Sequence, residues 1–295
     1  MSSLWPDLVV RTLLDSTLVL AQALLLNWLG VPFAAITLFA GLAAYGVAVA
    51  VQFGGLAVLP LVLLALVLLL IFVFLVPNLP EDRYLLLTLA TLALTRAFAG
   101  SLVRLGGQLG ISSAAPALPP QQPASYLIFV VPLFLLALGG VVLLQRSQMG
   151  LAVDIARLAR SQPLAAALVP LPILRIALFG FAVLLAVAAG TLQGLYSGRV
   201  DPNVFRLDVA ITVLVVTLAA GRRPLRVALV AIAFFGFPDI FASLFGYQRA
   251  AVAHVREIAW SIAILVLAGY GLGQPRAAAR RAAAPDPGSL GRGGS

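Results

Sequence analysis

The sequence predicts an all-α polytopic membrane protein with about 8–10 transmembrane helices. Three observations carry that expectation. No charged residue lies between Asp15 and Glu81, and further charge-free runs cover 105–145, 176–198 and 258–275. A bilayer core takes about 20 apolar residues of helix, so the first run alone holds about three crossings. The chain is 62% apolar and 10% charged, with a mean hydropathy of +1.09. A soluble domain of 30.8 kDa with that composition would have no polar surface. The apolar runs are also continuous, where the strands of a transmembrane barrel would alternate.

Taken in order, the crossings are 8–29, 31–52, 56–76, 84–103, 126–144, 171–192, 207–220, 225–245 and 258–273. Proline and glycine punctuate the joints: Gly30-Val31-Pro32, Pro77-Asn78-Leu79-Pro80, Pro119-Pro120 and Gly221 through Pro224. APALPPQQPAS, 115–125, is a Pro-rich polar loop, and 145–170 is a charged stretch between two apolar runs. These limits define a membrane domain over 1–274, followed by a disordered basic tail over 275–295. The glycines Gly41, Gly46, Gly54 and Gly55 would allow 31–52 to be a broken or re-entrant pair, which would move the N-terminus to the other side. Ala21-Gln22-Ala23 has the form of a signal-cleavage site, but Arg11 and Asp15 interrupt the apolar run before it, which argues against a cleaved leader.

Net charge is +9, and all 19 basic residues are arginine. Topology explains them better than nucleic acid does, because cytoplasmic loops collect arginine. With 145–170 inside, Arg83, Arg146, Arg157, Arg160, Arg222, Arg223 and the tail arginines fall inside, while Arg104, Arg199, Arg206, Arg249 and Arg256 fall outside. The C-terminus is then cytoplasmic, and the plasma membrane (the inner membrane in a Gram-negative cell) is the expected location. The absence of lysine excludes a Walker A loop, whose lysine reaches the nucleotide phosphates. The chain has no cysteine and one histidine, His254, so thiol chemistry and Cys/His metal clusters are excluded as well. Paired carboxylates and Ser/His/Asp sets are also missing. The expected role is to move or bind a solute, with no enzyme activity, metal or cofactor in this chain.

Polar groups inside the spans are few. Asp15 stands four residues after Arg11, an i,i+4 ion-pair spacing, and Gln22 shares its face by a seven-residue step. Asp15, Gln22, Arg96 and Asp239 are the intramembrane polar residues, each readable as structural or as facing a cavity. Thr88, Thr91 and Thr95 form an i, i+3, i+7 stripe. With Thr37 and the small-residue segment around Gly41 and Gly46, this stripe is the least lipid-like surface of the first half, and it is expected to line a translocation path. The competing expectation is that the threonines bond back to their own helix.

Several segments, in order, resemble the branched-chain amino acid ABC transporter permease family, in its LivM-like branch. AGLAAYG (40–46) matches a GAY-like element and is followed by LPEDRYLLLTLATLALTR (79–96). LGGQLGI (105–111) stands for a T-G-G-x-x-G element, with Leu105 in the threonine position. SQMGLAVDIARLARSQPLAAA (147–167) keeps Ser147, Gly150, Arg160, Pro163, Ala165 and Ala166 of the cytoplasmic motif, and FAVLLAVAAGTLQGLYSGRVDPNVF (181–205) follows. The likeness spans 30–245 and is that of a divergent member: AAGRRP (219–224) replaces a G-G-x-G-S element, Ala93 stands in place of a frequent Glu, and Gln162 replaces an Asn.

The resemblance implies an ABC importer permease fold. It implies a small solute, branched-chain amino acid-like or amide-like, delivered by an extracytoplasmic binding protein. A second homologous permease would complete the pore, and separate ATPase subunits would hold the ATP and magnesium. It also bears on the charged stretch. Leu151, Ile155 and Leu158 recur at i, i+4, i+7, flanked by Asp154, Arg157 and Arg160, and Pro163 ends the pattern. Periodicity alone fits equally a helix docked in a partner's groove and one lying on lipid. The resemblance implies docking on the ATPase, through Gly150, Leu151, Asp154, Ile155, Arg157, Leu158, Arg160 and Pro163. The rival readings are an autonomous secondary transporter or channel, for which Asp15 and Asp239 would be coupling groups, and a membrane scaffold that transports nothing.

Overall fold

A computed structural model describes residues 4–75, 81–102, 107–113, 123–152 and 171–245, all within one unit, Met1–Phe245. Of these residues, 89% are helical. The helices are α1 (Leu4–Ala23, continued as a π-helical turn Leu24–Trp28), α2 (Ile36–Phe53), α3 (Leu59–Leu75), α4 (Glu81–Ser101), α5 (Pro123–Arg146), α6 (Leu171–Ser197), α7 (Leu207–Ala220) and α8 (Pro224–Phe245). Eight expected crossings therefore coincide with eight helices. The ninth, 258–273, and the tail lie outside the described residues. Six helices, α1 to α6, are long and apolar enough to cross a membrane, and α7 and α8 contribute shorter apolar stretches.

Local chemistry sets the helix ends. Asp7 lies in the first turn of α1 and pairs with Arg11 at 3.1 Å. The expected partner was Asp15. Both carboxylates stand four residues from Arg11, but an acid N-terminal to its base agrees with the helix dipole and the reverse order opposes it. Pro224 starts α8, where its missing N–H costs nothing. Gly221, with φ of 72°, closes α7 in a backbone conformation that side-chain-bearing residues avoid.

The helices alternate in direction. Tyr196 near the end of α6 donates a hydrogen bond to Asp7 near the start of α1, which places both on one face. On the same face two short strands, β1 (Ile111–Ser112) and β2 (Arg199–Val200), pair antiparallel, with Ile111 opposite Val200 and Ser112 opposite Arg199. They join the α4–α5 and α6–α7 connections. Ser113 anchors the first of these by donating to the Gly194 carbonyl at 2.5 Å. On the opposite face, the Asn27 amide donates to the Gly221 carbonyl at 2.6 Å, so the ends of α1 and α7 meet there. The start of α1 thus shares a face with β1 and β2, as the four alternating helices between Leu4 and Ile111 require.

α1 is the core. From Ser16 to Leu25 every residue is buried, and α5, α6, α7 and α8 enclose it. α2 packs chiefly on α6, and the contact is made of small residues. A Cβ at Gly190 would stand 2.6 Å from the Ala40 Cα, and one at Gly194 2.9 Å from the Ala44 Cα. The i, i+4 pair of glycines in α6 and of alanines in α2 lets the two backbones touch, which is how helices associate where lipid removes the hydrophobic driving force. Between α1 and α2 the chain re-enters the bundle: Phe33 is fully buried and packs against Phe72, Tyr84 and Phe179 with ring centroids 5.0, 6.0 and 5.2 Å away.

Candidate functional site

The charged stretch begins with an elbow. α5 ends at Arg146, and Ser147 leaves the helix. The Ser147 hydroxyl donates to the Leu144 carbonyl at 2.7 Å and accepts the Met149 N–H at 3.2 Å, the bonding of an N-cap. Residues 148–152 resume a helix from that cap. Gly150 folds back so closely that a Cβ there would lie 2.8 Å from the Gln145 carbonyl carbon. No other residue fits that approach without moving backbone. Leu151 is 63% exposed. Asp154, Ile155, Arg157, Leu158, Arg160 and Pro163 lie outside the described residues.

The elbow shares its face with the start of α4 (Arg83), the α7–α8 turn (Arg222, Arg223) and the first turn of α8 (Arg226). The opposite face carries Arg11, Arg199 and Arg206, interleaved with Asp7, Asp201 and Asp208. Arg11 pairs with Asp7, and Arg206 pairs with Asp208 at 2.6 Å. Among the described residues, arginine is therefore in excess on the face of the elbow.

Of the expected path residues, Thr37, Gly41 and Gly46 belong to α2. That helix runs unbroken from Ile36 to Phe53, so the glycines do not split it. They serve contact instead: a Cβ at Gly41 would stand 2.7 Å from Cδ1 of the Phe205 ring, which stacks on Tyr45, and one at Gly46 would meet Val58 at 3.5 Å. Thr37 is buried and donates to the Ala34 carbonyl at 3.3 Å. On α4, Thr88, Thr91 and Thr95 each donate at 2.8 Å to a carbonyl of their own helix. No hydrogen bond joins the α2 set to the α4 set among the described residues. Arg96 reaches across to the Asn203 side-chain oxygen at 3.3 Å, tying α4 to the 3-10 turn Pro202–Phe205. Asp239 follows Pro238 inside α8.

A different group of polar residues stands out in α1. Asp15 is half-buried, and Gln22 is completely buried on the same side of the helix. Among the described residues, neither the oxygen nor the nitrogen of the Gln22 amide has a hydrogen-bond partner, and the hydroxyls of Thr12 and Ser16, also buried, have none. Thr17 shows the contrast on the same helix: its hydroxyl bonds the Leu13 carbonyl at 2.8 Å. The phenol oxygens of Tyr45 and Tyr84 are likewise buried and unpartnered among the described residues. Sequence reasoning singled out Gln22 but missed Thr12 and Ser16. Their signal was a spacing of four residues on the face that also carries Asp15.

Asn27 closes the π-helical turn of α1. Besides the Gly221 contact, its amide approaches the Thr217 carbonyl at 3.4 Å, while Arg222 donates to its backbone carbonyl at 3.3 Å. The wide π turn presents these groups to the α7–α8 turn on the arginine-bearing face.

No known family matches the chain, and neither a curated protein nor a solved structure is similar to it.

Proposed function

We propose that the chain is the transmembrane permease subunit of an ABC importer for a small solute, amino acid-like or amide-like. In this reading it forms the translocation path and docks a separate ATPase, which holds the ATP and magnesium. The observation that carries it is the elbow at Ser147–Gly150. A crossing ends there, a capped helix restarts at once on the arginine-bearing face, and Leu151 stands exposed on it. That residue opens the Leu151, Ile155, Leu158 repeat, on the side that arginine bias makes cytoplasmic. A buried polar helix at the centre of the bundle suits a solute path better than it suits an inert scaffold, since buried groups without partners are costly. An extracytoplasmic binding protein would deliver the solute to the face of β1 and β2, and a second permease would complete the pore.

Affinity capture from the membranes of the producing cell tests this. The chain should bring down an ATPase with its own Walker motifs. Ile155→Asp should abolish that recovery while leaving the chain inserted, because truncating or charging a buried anchor commonly costs about 1–3 kcal/mol or more. Arg157→Ala should do less, since rim charges mainly tune association. Full recovery of the ATPase by Ile155→Asp would make 150–163 a helix lying on lipid.

A further inference from the structure

We infer that the polar arc of α1, formed by Thr12, Ser16 and Gln22, is the solute-contacting surface of this chain, and that its ligand is a small uncharged molecule that both donates and accepts hydrogen bonds. The inference rests on the transport reading for the presence of a solute. It departs from the expectation that Thr37 and the α4 threonines line the path.

Geometry groups the three residues. At 100° per residue they fall within about a third of the helix circumference, over roughly 15 Å of rise. Asp15 lies inside the same arc. Thr12, Ser16 and Gln22 are 5%, 0% and 0% exposed, and their four side-chain polar atoms have no partner among the described residues. The α4 threonines, by contrast, are each satisfied by their own helix. Buried polar groups in folded proteins are nearly always bonded, so a cluster of orphans in a core helix is exceptional. A ligand supplies the missing partners. The residue facing Thr12 on α8 is Gly236, where a Cβ would meet the Thr12 methyl and hydroxyl groups at 3.5 and 3.6 Å, ordinary contact, so α8 would have to draw back to admit a ligand. Pro238, two residues on, interrupts the α8 hydrogen-bond ladder.

Chemistry sets the ligand class. The carboxamide of Gln22 offers two donors and an acceptor oxygen, and each hydroxyl offers both roles. No cationic side chain belongs to the arc. Arg11, one residue before Thr12, is exposed and paired with Asp7. A free carboxylate entering this surface would lose its hydration and would find no counter-charge among the described residues of the arc, both unfavourable. A neutral amide, urea or polyol meets neither penalty.

The chain has no cysteine, which makes single-cysteine chemistry clean. Ser16→Cys and Gln22→Cys are made in the full chain, in membranes of the producing cell, with Leu20→Cys and Leu24→Cys as equally buried apolar controls. The probe is the small cationic thiol reagent aminoethyl methanethiosulfonate, and the protectants are acetamide and sodium acetate. The expected result is loss of the free thiol at 16 and 22 but not at 20 and 24, slowed by acetamide and not by acetate. Slowing by acetate alone would overturn the ligand class. Inertness at 16 and 22 would overturn the site, whereas recovery of the ATPase by the unmodified chain would still stand, so the two failures are distinct. Gln22→Leu gives a readout independent of labelling. Removing orphan polar atoms should raise the thermal midpoint by about 2–4 °C. A fall would mean that Gln22 is a bonded structural residue, and would sink the inference.

Discussion

α1 and α3 are both apolar helices of crossing length, yet they occupy opposite positions. The span Gly55–Phe74, containing α3, is the most hydropathic of the six and is 11% buried; Trp5–Trp28, containing α1, is among the least hydropathic and is 72% buried. In water the order would be reversed. In a bilayer the tails are as apolar as leucine, so hydropathy no longer selects what goes inside. Selection passes to packing and to polar groups, which lipid cannot satisfy. Thr12, Ser16, Gln22 and Asn27 make α1 the helix that must be enclosed. LPLVLLALVLLLIFVFL, the whole of α3, has nothing that needs enclosing.

Substitutions can break or sharpen this contrast. The largest effect should come from Gly190→Leu, which drives a side chain into the backbone of α2 at Ala40. Folded yield, measured by size-exclusion profile in detergent, should collapse. Gly180→Ala on the same helix, with nothing within 4 Å, should change stability by less than about 0.5 kcal/mol. Next is Leu24→Ala in the core of α1, where the side chain is 0% exposed. The cavity should cost about 2–5 kcal/mol, read as a fall in the thermal midpoint in lipid nanodiscs. A cost below that range would mean that α1 is loosely held. Asn27→Leu should cost about 1–3 kcal/mol by leaving the Gly221 and Thr217 carbonyls without their donor. If the α7–α8 turn kept its protection in hydrogen exchange, that bond would be incidental. Smallest of all, Leu66→Ala on α3, 51% exposed, should fall within about 0.5 kcal/mol of the parent. A loss comparable to that of Leu24→Ala would show that another chain covers α3.

Much of this architecture was legible in the sequence. Charge-free runs and Pro/Gly joints located eight helices, because the length of a crossing is set by bilayer thickness alone. The capped restart at Ser147 fell inside the expected charged stretch, since serine ahead of an amphipathic run is a local signal. What stayed illegible was lateral order. Hydropathy carries no information on which crossing is central, so the sequence reading looked to the α4 threonines and did not set apart Thr12 and Ser16. Whether a hydroxyl bonds its own helix depends on its rotamer: Thr17 does and Thr12 does not, though both sit in one helix. The glycines of α2 suggested a break for the same reason. Gly41 and Gly46 read as flexible points, yet what they meet is Phe205 and Val58 from elsewhere in the chain.

The bond from Asn27 to Gly221 spans 194 positions. α1 is synthesised before every helix that encloses it. At ribosomal rates of about 5–20 residues per second, α1 waits on the order of 10–40 s for the turn that Asn27 grips. Gln22, Ser16 and Asn27 enter the bilayer before α5, α6, α7 or α8 exists to surround them, and α8 follows only after the turn itself. Assembly therefore runs from an early polar helix to late apolar walls. A folding fault in this chain should appear as α1 inserted but uncovered, exposed to whatever quality-control protease surveys polar surface within the membrane.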